Sequence, residues 1–387
     1  MKKIILLFLA ASSFCTAQKS IDSLKISDLE VPNAPALTLL DKSFSLVEAS
    51  NSSNAINANL VNVKDNAIEV VPYWLLHENK FTSSNAYYGF TADDQGVITK
   101  QNVFNDFIKK TSFSLAYTTS DTLSSIAFGL RSNFITFKNI KKINEVFANQ
   151  KKYIDNRDAY IESKRKTKID ELKAKPEVAA AIIVLEKETD RTKLAALLIE
   201  LDTEARNSLM DEYDSTNEKE FEDLAKDFNK HFNHKVFTWD LAAGATANFP
   251  GNESSYSRLG RFGFWTTAKW SIFIGADDFF NVYGFGRLLR DESQIDPATL
   301  DYLKNEYVDI GGKVEFQFKK ISISGEYINR NGDDKDHRLV GILQYKVMDN
   351  LFLSGGYGKN FETDSGDLLT LFGLKWGLSE KPVVKFD

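Results

Sequence analysis

The histidines are the first residues to consider for chemistry. His231 and His234 lie three positions apart near the end of a predicted helix, and Asp227 lies one turn before His231. Imidazoles at this spacing can share a metal ion such as zinc, but a stable site needs further ligands at a recognisable spacing. None follows here, so a solvated helix end is the preferred interpretation. His77 and His337 each stand alone. We therefore predict no metal site and no cofactor.

Nucleophilic catalysis would require a serine or histidine system with a base and an orienting partner. The sequence has four histidines and no compact grouping of serine with histidine. The single cysteine, Cys15, lies in the N-terminal export segment described below. Gly284-Phe285-Gly286 is not followed by a helix that could hold a phosphate. We predict that the protein is not an enzyme.

The stretch from Tyr307 to Leu378 alternates apolar and polar residues with a period of two, which predicts strands with one apolar and one polar face. Tight connections such as Lys319-Lys320 alternate with longer polar ones such as Asn329–His337. Short turns at one end and longer loops at the other are typical of outer-membrane β-barrels. An aromatic content of 12% suits aromatic girdles, and a net charge of −6 argues against nucleic-acid binding.

Eleven strands are clear in the sequence, and bacterial barrels have an even number. The eleven are Ala67–Leu76, Ser112–Thr118, Ser125–Phe137, Lys235–Phe249, Leu259–Lys269, Ser271–Val282, Asp309–Phe318, Ile321–Ile328, Arg338–Val347, Leu351–Gly358 and Leu368–Leu378. A twelfth is either Ala55–Val63 or Asn85–Phe90. A turn near Trp270 and a long loop from Gly284 to Glu306, with a short helix at Pro297–Lys304, complete the prediction. The fold class is an all-β antiparallel membrane barrel of about 12 strands.

Charged residues on the polar faces of these strands would point into the barrel if the apolar faces meet lipid. The eight predicted inward charges are Glu69, Arg131, Asp240, Lys313, Glu315, Glu326, Lys346 and Lys375. Isolated charges in a narrow interior are costly, so they should pair or contact water. Mixed signs fit a wet pore of weak ion preference or a closed interior held by salt bridges. The sequence leaves both open.

Between about Lys141 and Asn233 the apolar residues fall three or four apart and good helix formers dominate. This pattern predicts an α-helical hairpin or coiled coil inserted into the barrel. Lys164, Arg165 and Lys166 form a basic cluster on it. A solvated face is the default interpretation, and contact with an acidic partner or with lipid headgroups is the alternative. Counting loops back from the C terminus places the insertion on the periplasmic side.

The N terminus predicts export. Met1-Lys2-Lys3 is positively charged, Ile4–Ala11 is apolar, and small residues precede Gln18. The following segment contains Pro32 and Pro35, which favour an extended backbone. This segment could plug the barrel, act as a latch or dock a partner, but a linker packed on the barrel rim is the preferred interpretation.

The exported amino terminus, the strands and the asymmetric connections together resemble bacterial outer-membrane β-barrel proteins, over roughly Ala67–Phe137 and Lys235–Leu378. The resemblance implies an outer-membrane location in a Gram-negative bacterium and transfers no catalytic residue. The sequence departs from many such barrels because it continues past the last strand. The predicted divisions are 1–17 signal peptide, 18–64 irregular segment, 65–138 first strands, 139–234 helical insertion, 235–378 remaining strands and 379–387 extension.

Two functions are favoured nearly equally. The first is a channel or transport protein for small solutes. The second is a structural or assembly component of the envelope that binds a protein partner through the periplasmic helices. A lipid-modifying barrel enzyme is a distant third and would need one of the few histidines. The expected partners are outer-membrane lipid and a periplasmic or outer-membrane protein, with no nucleic acid.

Overall fold

The computed structural model describes residues 23–25, 31–49, 54–62, 65–76, 84–119, 123–187, 191–275, 278–294, 302–333, 335–348, 350–361, 368–378 and 383–385. The predicted signal peptide, Cys15 and most of the predicted C-terminal extension lie outside the described residues. His77 lies outside them too.

Twelve antiparallel strands close into a barrel, which confirms the predicted fold class. In chain order the strands are β1 Ser23–Lys25, β2 Ile56–Val61, β3 Asp65–Val70, β4 Phe90–Ala92, β5 Ile98–Gln101, β6 Ser112–Thr119, β7 Leu123–Phe137, β8 Phe237–Pro250, β9 Arg258–Phe273, β10 Asp278–Asp291, β11 Asn305–Phe318, β12 Ile321–Gly332, β13 Asp336–Met348, β14 Leu351–Lys359, β15 Leu368–Gly377 and β16 Val383–Lys385. The barrel excludes β1, which pairs with β16, and β4, which pairs with β5. Each barrel strand pairs with the next along the chain, and β15 closes the ring on β2.

The outer face of the barrel is apolar. Val314, Phe316 and Phe318 on β11 are 47%, 45% and 43% exposed, whereas Lys313 and Glu315 beside them are buried. Aromatic rings gather on the outer face at one end, where the Phe237 and Trp270 rings lie 4.9 Å apart and the Phe280 and Phe316 rings also lie 4.9 Å apart. An apolar belt edged by aromatic residues is the surface of a barrel embedded in lipid.

Several predicted strand limits are wrong. The predicted strand Ala67–Leu76 is β3 followed by a helix, Pro72–Leu76, because Pro72 cannot donate to a strand ladder and suits the first turn of a helix. Of the two candidates for the twelfth strand, Ala55–Val63 is correct and corresponds to β2. The second, Asn85–Phe90, is mostly the helix Ser84–Tyr88.

The region around Trp270 also differs from the prediction. Trp270 pairs with Val282 inside the ladder of β9 and β10, and the connection follows at 274–277. The predicted loop from Gly284 is strand up to Asp291. Most of the predicted helix at Pro297–Lys304 lies outside the described residues, and 302–304 are not helical.

The described chain also contains eight α-helices, none of which is part of the barrel wall. In chain order they are α1 Pro35–Leu39, α2 Pro72–Leu76, α3 Ser84–Tyr88, α4 Asp106–Lys109, α5 Ile140–Lys173, α6 Pro176–Lys187, α7 Arg191–Thr216 and α8 Glu218–Asn233. The last four form a separate compact unit, residues 141–231, inserted between β7 and β8. This unit has a small core of its own in which Leu172 packs with Leu201 and Ala205.

The two ends of the barrel differ in their connections. At the end that we call the turn end, residues 274–277, 319–320 and 349–350 connect strands tightly. The helical insertion and the segment 71–111 also leave the barrel at this end. At the opposite end, the loop end, the connections 251–257 and 292–304 are longer, but 62–64 and 120–122 are short. Loop length alone therefore separates the two ends incompletely.

Candidate functional site

An N-terminal segment, residues 31–49, lies inside the barrel, and we call it the plug. Sixteen of its nineteen residues are buried, including Pro32 and Pro35. Pro35 starts α1, as expected from its fixed φ and missing N–H, and α1 packs against β7 and β8. The preferred prediction of a linker on the rim is wrong. The segment is mainly small and apolar, with polar groups that match the polar inner wall.

The backbone of the plug is bonded directly to the wall. The Ala34 N–H donates to Asn59 Oδ1 at 2.8 Å, and the Ala36 N–H donates to Ser114 Oγ at 3.0 Å. These are N–H groups at the start of α1, which have no partner within the helix. At Gly129 on β7, a Cβ atom would lie 2.6 Å from the Ala36 nitrogen. Glycine therefore permits the closest approach between plug and wall.

Three arginines of the wall converge on two carboxylates, one of which belongs to the plug. Asp41 accepts from Arg261 at 2.8 Å and from Arg287 at 3.0 Å. Asp309 pairs with Arg287 at 2.7 Å and with Arg330 at 2.8 Å. Arg287, Asp309 and Arg330 stand opposite one another on adjacent strands. Hydrogen bonds between ionised groups are the stronger class, and here they fasten the plug to β9, β10 and β12.

A second anchor lies at Glu326 on β12. Its carboxylate accepts hydrogen bonds from Ser45 Oγ at 2.5 Å and from the N–H groups of Leu46 and Val47, each at 3.1 Å. Arg338 pairs with Glu326 at 2.9 Å and donates to two carbonyl oxygens of the plug, each at 3.1 Å. The side chains of Glu326 and Arg338 are fully buried. Both ions are therefore satisfied largely by the plug.

A third anchor joins the two ends of the plug to each other and to the wall. Glu48 accepts from Lys375 at 3.0 Å and from the Asn33 side chain at 2.8 Å. Arg131 donates to the Asn33 carbonyl oxygen at 3.1 Å and pairs with Glu69 at 2.6 Å. The plug is thus bound by charges from opposite sides of the ring.

Apolar contacts fill the space between these anchors. Leu39 and Leu46 belong to one buried cluster with Trp265 and Phe285 of the wall. A second cluster groups the plug's Leu37 and Phe44 with small and branched residues of β2, β3, β6, β7, β13 and β15. Because the polar anchors and the apolar contacts surround the plug, it occludes the interior.

The structure places the eight predicted inward charges as follows. Seven are buried on the inner face, namely Glu69, Arg131, Asp240, Lys313, Glu315, Glu326 and Lys375. Lys346 is half-buried on the same face of β13. Arg131, Glu326 and Lys375 contact the plug directly, whereas Lys313 and Glu315 pair with each other at 3.7 Å. The sequence allowed either a wet pore or a closed interior held by salt bridges. The geometry of these charges matches the closed interior.

Sequence reasoning missed several residues of this network. They are Asp41, Glu48, Arg261, Arg287, Asp309, Arg330 and Arg338. Arg287 and Arg330 fell in segments predicted as loops, although the alternation of Phe285, Arg287 and Leu289 with Gly284, Gly286 and Leu288 continues β10 to Asp291. Reading that alternation to its end would have found Arg287. Asp41 and Glu48 have no periodic signal because the plug is irregular.

A vestibule of about 330 Å³ opens on the loop-end side of the plug. Six of its eleven lining residues carry a hydroxyl or amide group, and the lining comprises Leu40, Lys42, Asp65, Thr118, Thr119, Leu123, Ser125, Thr246, Asn248, Arg261 and Ser293. Leu40 and Lys42 belong to the plug, so the plug forms part of the vestibule wall. The volume is at the lower end of the range of small-molecule sites.

The basic cluster of the insertion lies on α5. Arg165 pairs with Asp202 of α7 at 2.6 Å, and Lys164 and Lys166 are exposed. His234 packs 4.0 Å from the Phe273 ring, and among the described residues no group of three or more potential ligands is arranged to hold a metal. In the same residues, no helix is both long and apolar enough to cross a membrane.

No protein-family model matches this chain, and no curated protein matches it. Similar solved structures include the KdgM porin, at 7% identity and a TM-score of 0.34, covering 84% of this chain and 97% of that one. The NanC porin aligns at 8% identity and a TM-score of 0.30, covering 84% and 98%. OmpT, an outer membrane protein of Vibrio cholerae, aligns at 9% identity and a TM-score of 0.23, covering 81% and 79%. The fold assignment rests on the strand pairing of the chain itself.

Proposed function

We propose that this chain is a transport barrel for small solutes in the outer membrane of a Gram-negative bacterium, and that residues 31–49 close its passage. The observation that carries the proposal is the polar attachment of the plug. Its three anchors, at Asp41, Glu326 and Glu48, are ion pairs and hydrogen bonds to the wall. A contact of this kind can be exchanged for water when the plug moves.

The chemistry of the inner wall supports a passage rather than a permanent closure. Replacing a buried ion pair by well-packed apolar residues is often neutral or stabilising, so charges are not needed to fill a barrel. This barrel nevertheless carries Arg131, Arg287, Arg338 and Lys375 on its inner face. With the plug displaced, such a wall remains wettable, whereas an apolar wall would favour dewetting. The vestibule at the loop end gives a polar solute its point of entry.

The proposal is tested by conductance across planar bilayers. The mature chain lacks cysteine if the signal peptide is removed, so a Cys pair can lock the plug. Ala36→Cys with Ser114→Cys is suitable, because the 3.0 Å hydrogen bond keeps their Cα atoms within about 7 Å, the range of disulfides. We expect rare openings in the unmodified protein and none in the oxidised pair. Reductant should restore the openings.

Glu326→Gln tests the opposite change, a loosened plug, since it weakens an anchor while keeping the shape of the side chain. It should increase the open fraction severalfold. The single variants Ala36→Cys and Ser114→Cys serve as matched controls. Equal conductance in the locked and reduced states would contradict a gating plug, and absence of conductance from Glu326→Gln as well would contradict a passage.

The helical insertion supports a second candidate, an assembly function through a protein partner. Ile183 and Val184 on α6 are each 51% exposed, and Ile199 on α7 is 68% exposed. Exposed apolar side chains on a small helical unit provide a surface that could bind a protein partner. Replacing residues 141–231 by a short linker should abolish a crosslinked complex in cells and leave barrel folding intact. An unchanged crosslinking pattern would eliminate this function.

A further inference from the structure

A group of buried charges that the plug does not use lies at the turn end, where β7 ends and β8 begins. We call it the rim cluster, and it consists of Asp106, Lys110, Lys138 and Lys235. Lys235 Nζ lies 3.5 Å from Asp106 Oδ2, with side chains 14% and 17% exposed. Asp106 also accepts from Thr136 Oγ1 at 3.3 Å. Of the four residues, Lys110 is buried and the other three are partly buried.

The neighbouring Lys109 is satisfied by other groups. Its ammonium donates to the carbonyl oxygens of Ala86 at 2.8 Å and Tyr87 at 2.9 Å, and to Asn105 Oδ1 at 2.9 Å. These three acceptors use the three protons of an ammonium group. Lys109 therefore belongs to the structure of the segment and has no donor left for a ligand.

Lys235 is in a different position. Within the described chain its buried ammonium nitrogen has no hydrogen-bond acceptor. It faces the ammonium group of Lys110. Lys138 donates to the carbonyl oxygen of Phe232, and its nitrogen lies 4.6 Å from the ring centre of Tyr88, so two of its protons are not used by that bond. Three lysines thus lie close to one carboxylate, that of Asp106.

The charges around this space do not balance. When all are protonated, Lys109, Lys110, Lys138 and Lys235 carry four positive charges, and Asp106 with the nearby Asp240 carries two negative ones, which leaves two positive charges in excess. Burial, with the repulsion of neighbouring lysines, lowers the pKa of Lys138 and of Lys235 to about 7. Burial would raise the pKa of Asp106, but Lys235 and Lys110 overcome it and lower that pKa to about 2. An excess of buried positive charge is costly unless an anion joins it.

We propose that the rim cluster binds a phosphoryl group, with Lys110 and Lys235 donating to its oxygens and Lys138 completing the site. A phosphoryl dianion matches the excess of two charges, and its several oxygens can accept from two facing ammonium groups at once. Lysine binds phosphate as a point charge and needs no planar geometry. The site does not rest on the proposed transport function, because none of its residues belongs to the three anchors of the plug.

The surroundings favour a phospholipid headgroup as the source of the phosphoryl group. Next to the lysines, Phe104, Phe107 and Ile108 are 52%, 43% and 68% exposed. The Phe104 ring lies 5.5 Å from the Phe134 ring, which lies 5.5 Å from the Trp239 ring on the outer face of β8. Residues 104–110 therefore combine exposed apolar side chains beside the lipid-facing wall with the lysines at their end, as in segments that lie at a membrane interface.

Binding is measured by calorimetry on the full-length protein in detergent, with inorganic phosphate titrated into phosphate-free buffer at pH 7.5. Two buffers of different ionisation enthalpy are used. We expect saturable binding with uptake of protons, because a bound anion raises the pKa of the lysines. Lys235→Met should weaken binding at least tenfold, and Asp106→Asn should strengthen it severalfold by removing a competing anion. Lys100→Met, an exposed lysine on β5, is the matched control and should bind like the unmodified protein.

A second arm separates the two sources. Delipidated protein is supplied with phosphatidylglycerol, and retained lipid is counted by native mass spectrometry before and after adding inorganic phosphate. Lipid retention that is lost in Lys235→Met supports the headgroup, and phosphate binding unaffected by lipid supports the free anion. Each variant must keep its heat-modifiable migration on a gel, which reports a folded barrel. If unmodified protein binds neither probe, or Lys235→Met binds both as well as it does, the site does not exist.

Discussion

The plug network and the rim cluster are both buried groups of charge in one barrel, but they are built on opposite principles. In the plug network, Asp41 and Asp309 face three arginines, and Glu326 accepts from both the plug and Arg338. In the rim cluster, three lysines share one aspartate, and the Lys235 ammonium pairs with Asp106 at 3.5 Å but has no hydrogen-bond acceptor among the described residues.

This difference distinguishes paired charges that stabilise the fold from unbalanced charges that can bind a ligand. A buried ion pair is strongly destabilising only when one partner is removed, because the remaining ion is left uncompensated. The plug network should therefore lose stability when a charge is deleted. The rim cluster, already uncompensated, should gain stability from the same kind of deletion.

The largest effect is expected from Glu326→Ala. This change leaves the fully buried Arg338 guanidinium without its carboxylate, together with two N–H groups of the plug. The expected loss in the free energy of unfolding is about 3–5 kcal/mol. Urea unfolding followed by tryptophan fluorescence measures it. A loss in the free energy of unfolding smaller than that expected for an exposed ion pair would show that the Glu326 anchor does not stabilise the protein.

The pH dependence of stability should come from the rim cluster. Lys138 and Lys235 have a pKa near 7 in the folded protein and near 10.5 when unfolded, so the unfolded chain binds more protons between these values. Stability should therefore rise from pH 7 towards pH 10, by at most about 1.4 kcal/mol per pH unit for each lysine.

Lys235→Met checks this assignment. It should reduce the slope of stability against pH and raise the melting temperature at pH 7 in phosphate-free buffer, since it relieves the repulsion with Lys110. Lys100→Met should leave the slope unchanged. A slope that is the same in all three proteins would place its origin elsewhere.

Gly129→Ala should have a smaller effect than the loss of Glu326. The new methyl group would lie 2.6 Å from the Ala36 nitrogen and 2.7 Å from Pro35 Cβ, so the plug must shift. Overpacking of this kind costs about 1–3 kcal/mol. Gly325→Ala is the matched control, because a Cβ there meets nothing within 4 Å. Hydrogen exchange of the plug amides should accelerate in the first variant and stay constant in the second.

The smallest effect is expected at the exposed pair of Arg165 and Asp202 on the helical insertion. Their 2.6 Å contact is as short as any ion pair in the plug network, but water screens it. Asp202→Ala should produce no measurable change in melting temperature. A drop comparable to that of Glu326→Ala would show that distance, rather than burial, determines the strength of these pairs.

The sequence predicted the barrel well because lipid and interior impose a period of two on every strand. The alternation of Val314, Phe316 and Phe318 with polar residues was sufficient for the fold and for most inward charges. It was not sufficient for strand ends, because glycines such as Gly284 interrupt the apolar face of β10. The plug was placed wrongly on the rim, since its position depends on long-range pairs that no local period encodes. The rim cluster was missed because its lysines, Lys110, Lys138 and Lys235, come from three separate parts of the chain.

The seam between β15 and β2 determines when the plug can acquire its contacts. This seam has five residue pairs, from Gly373 with Val61 to Gly377 with Asn57, whereas β10 and β11 share fourteen. Short pairings between distant parts of a chain are slow to form, because the loop-closure entropy must be lost before contacts compensate for it. The plug bridges this gap by bonding to Asn59 on one side of the seam and to Lys375 on the other. We therefore expect that loosening the plug slows ring closure, the last step of assembly, even in a barrel that is stable once closed.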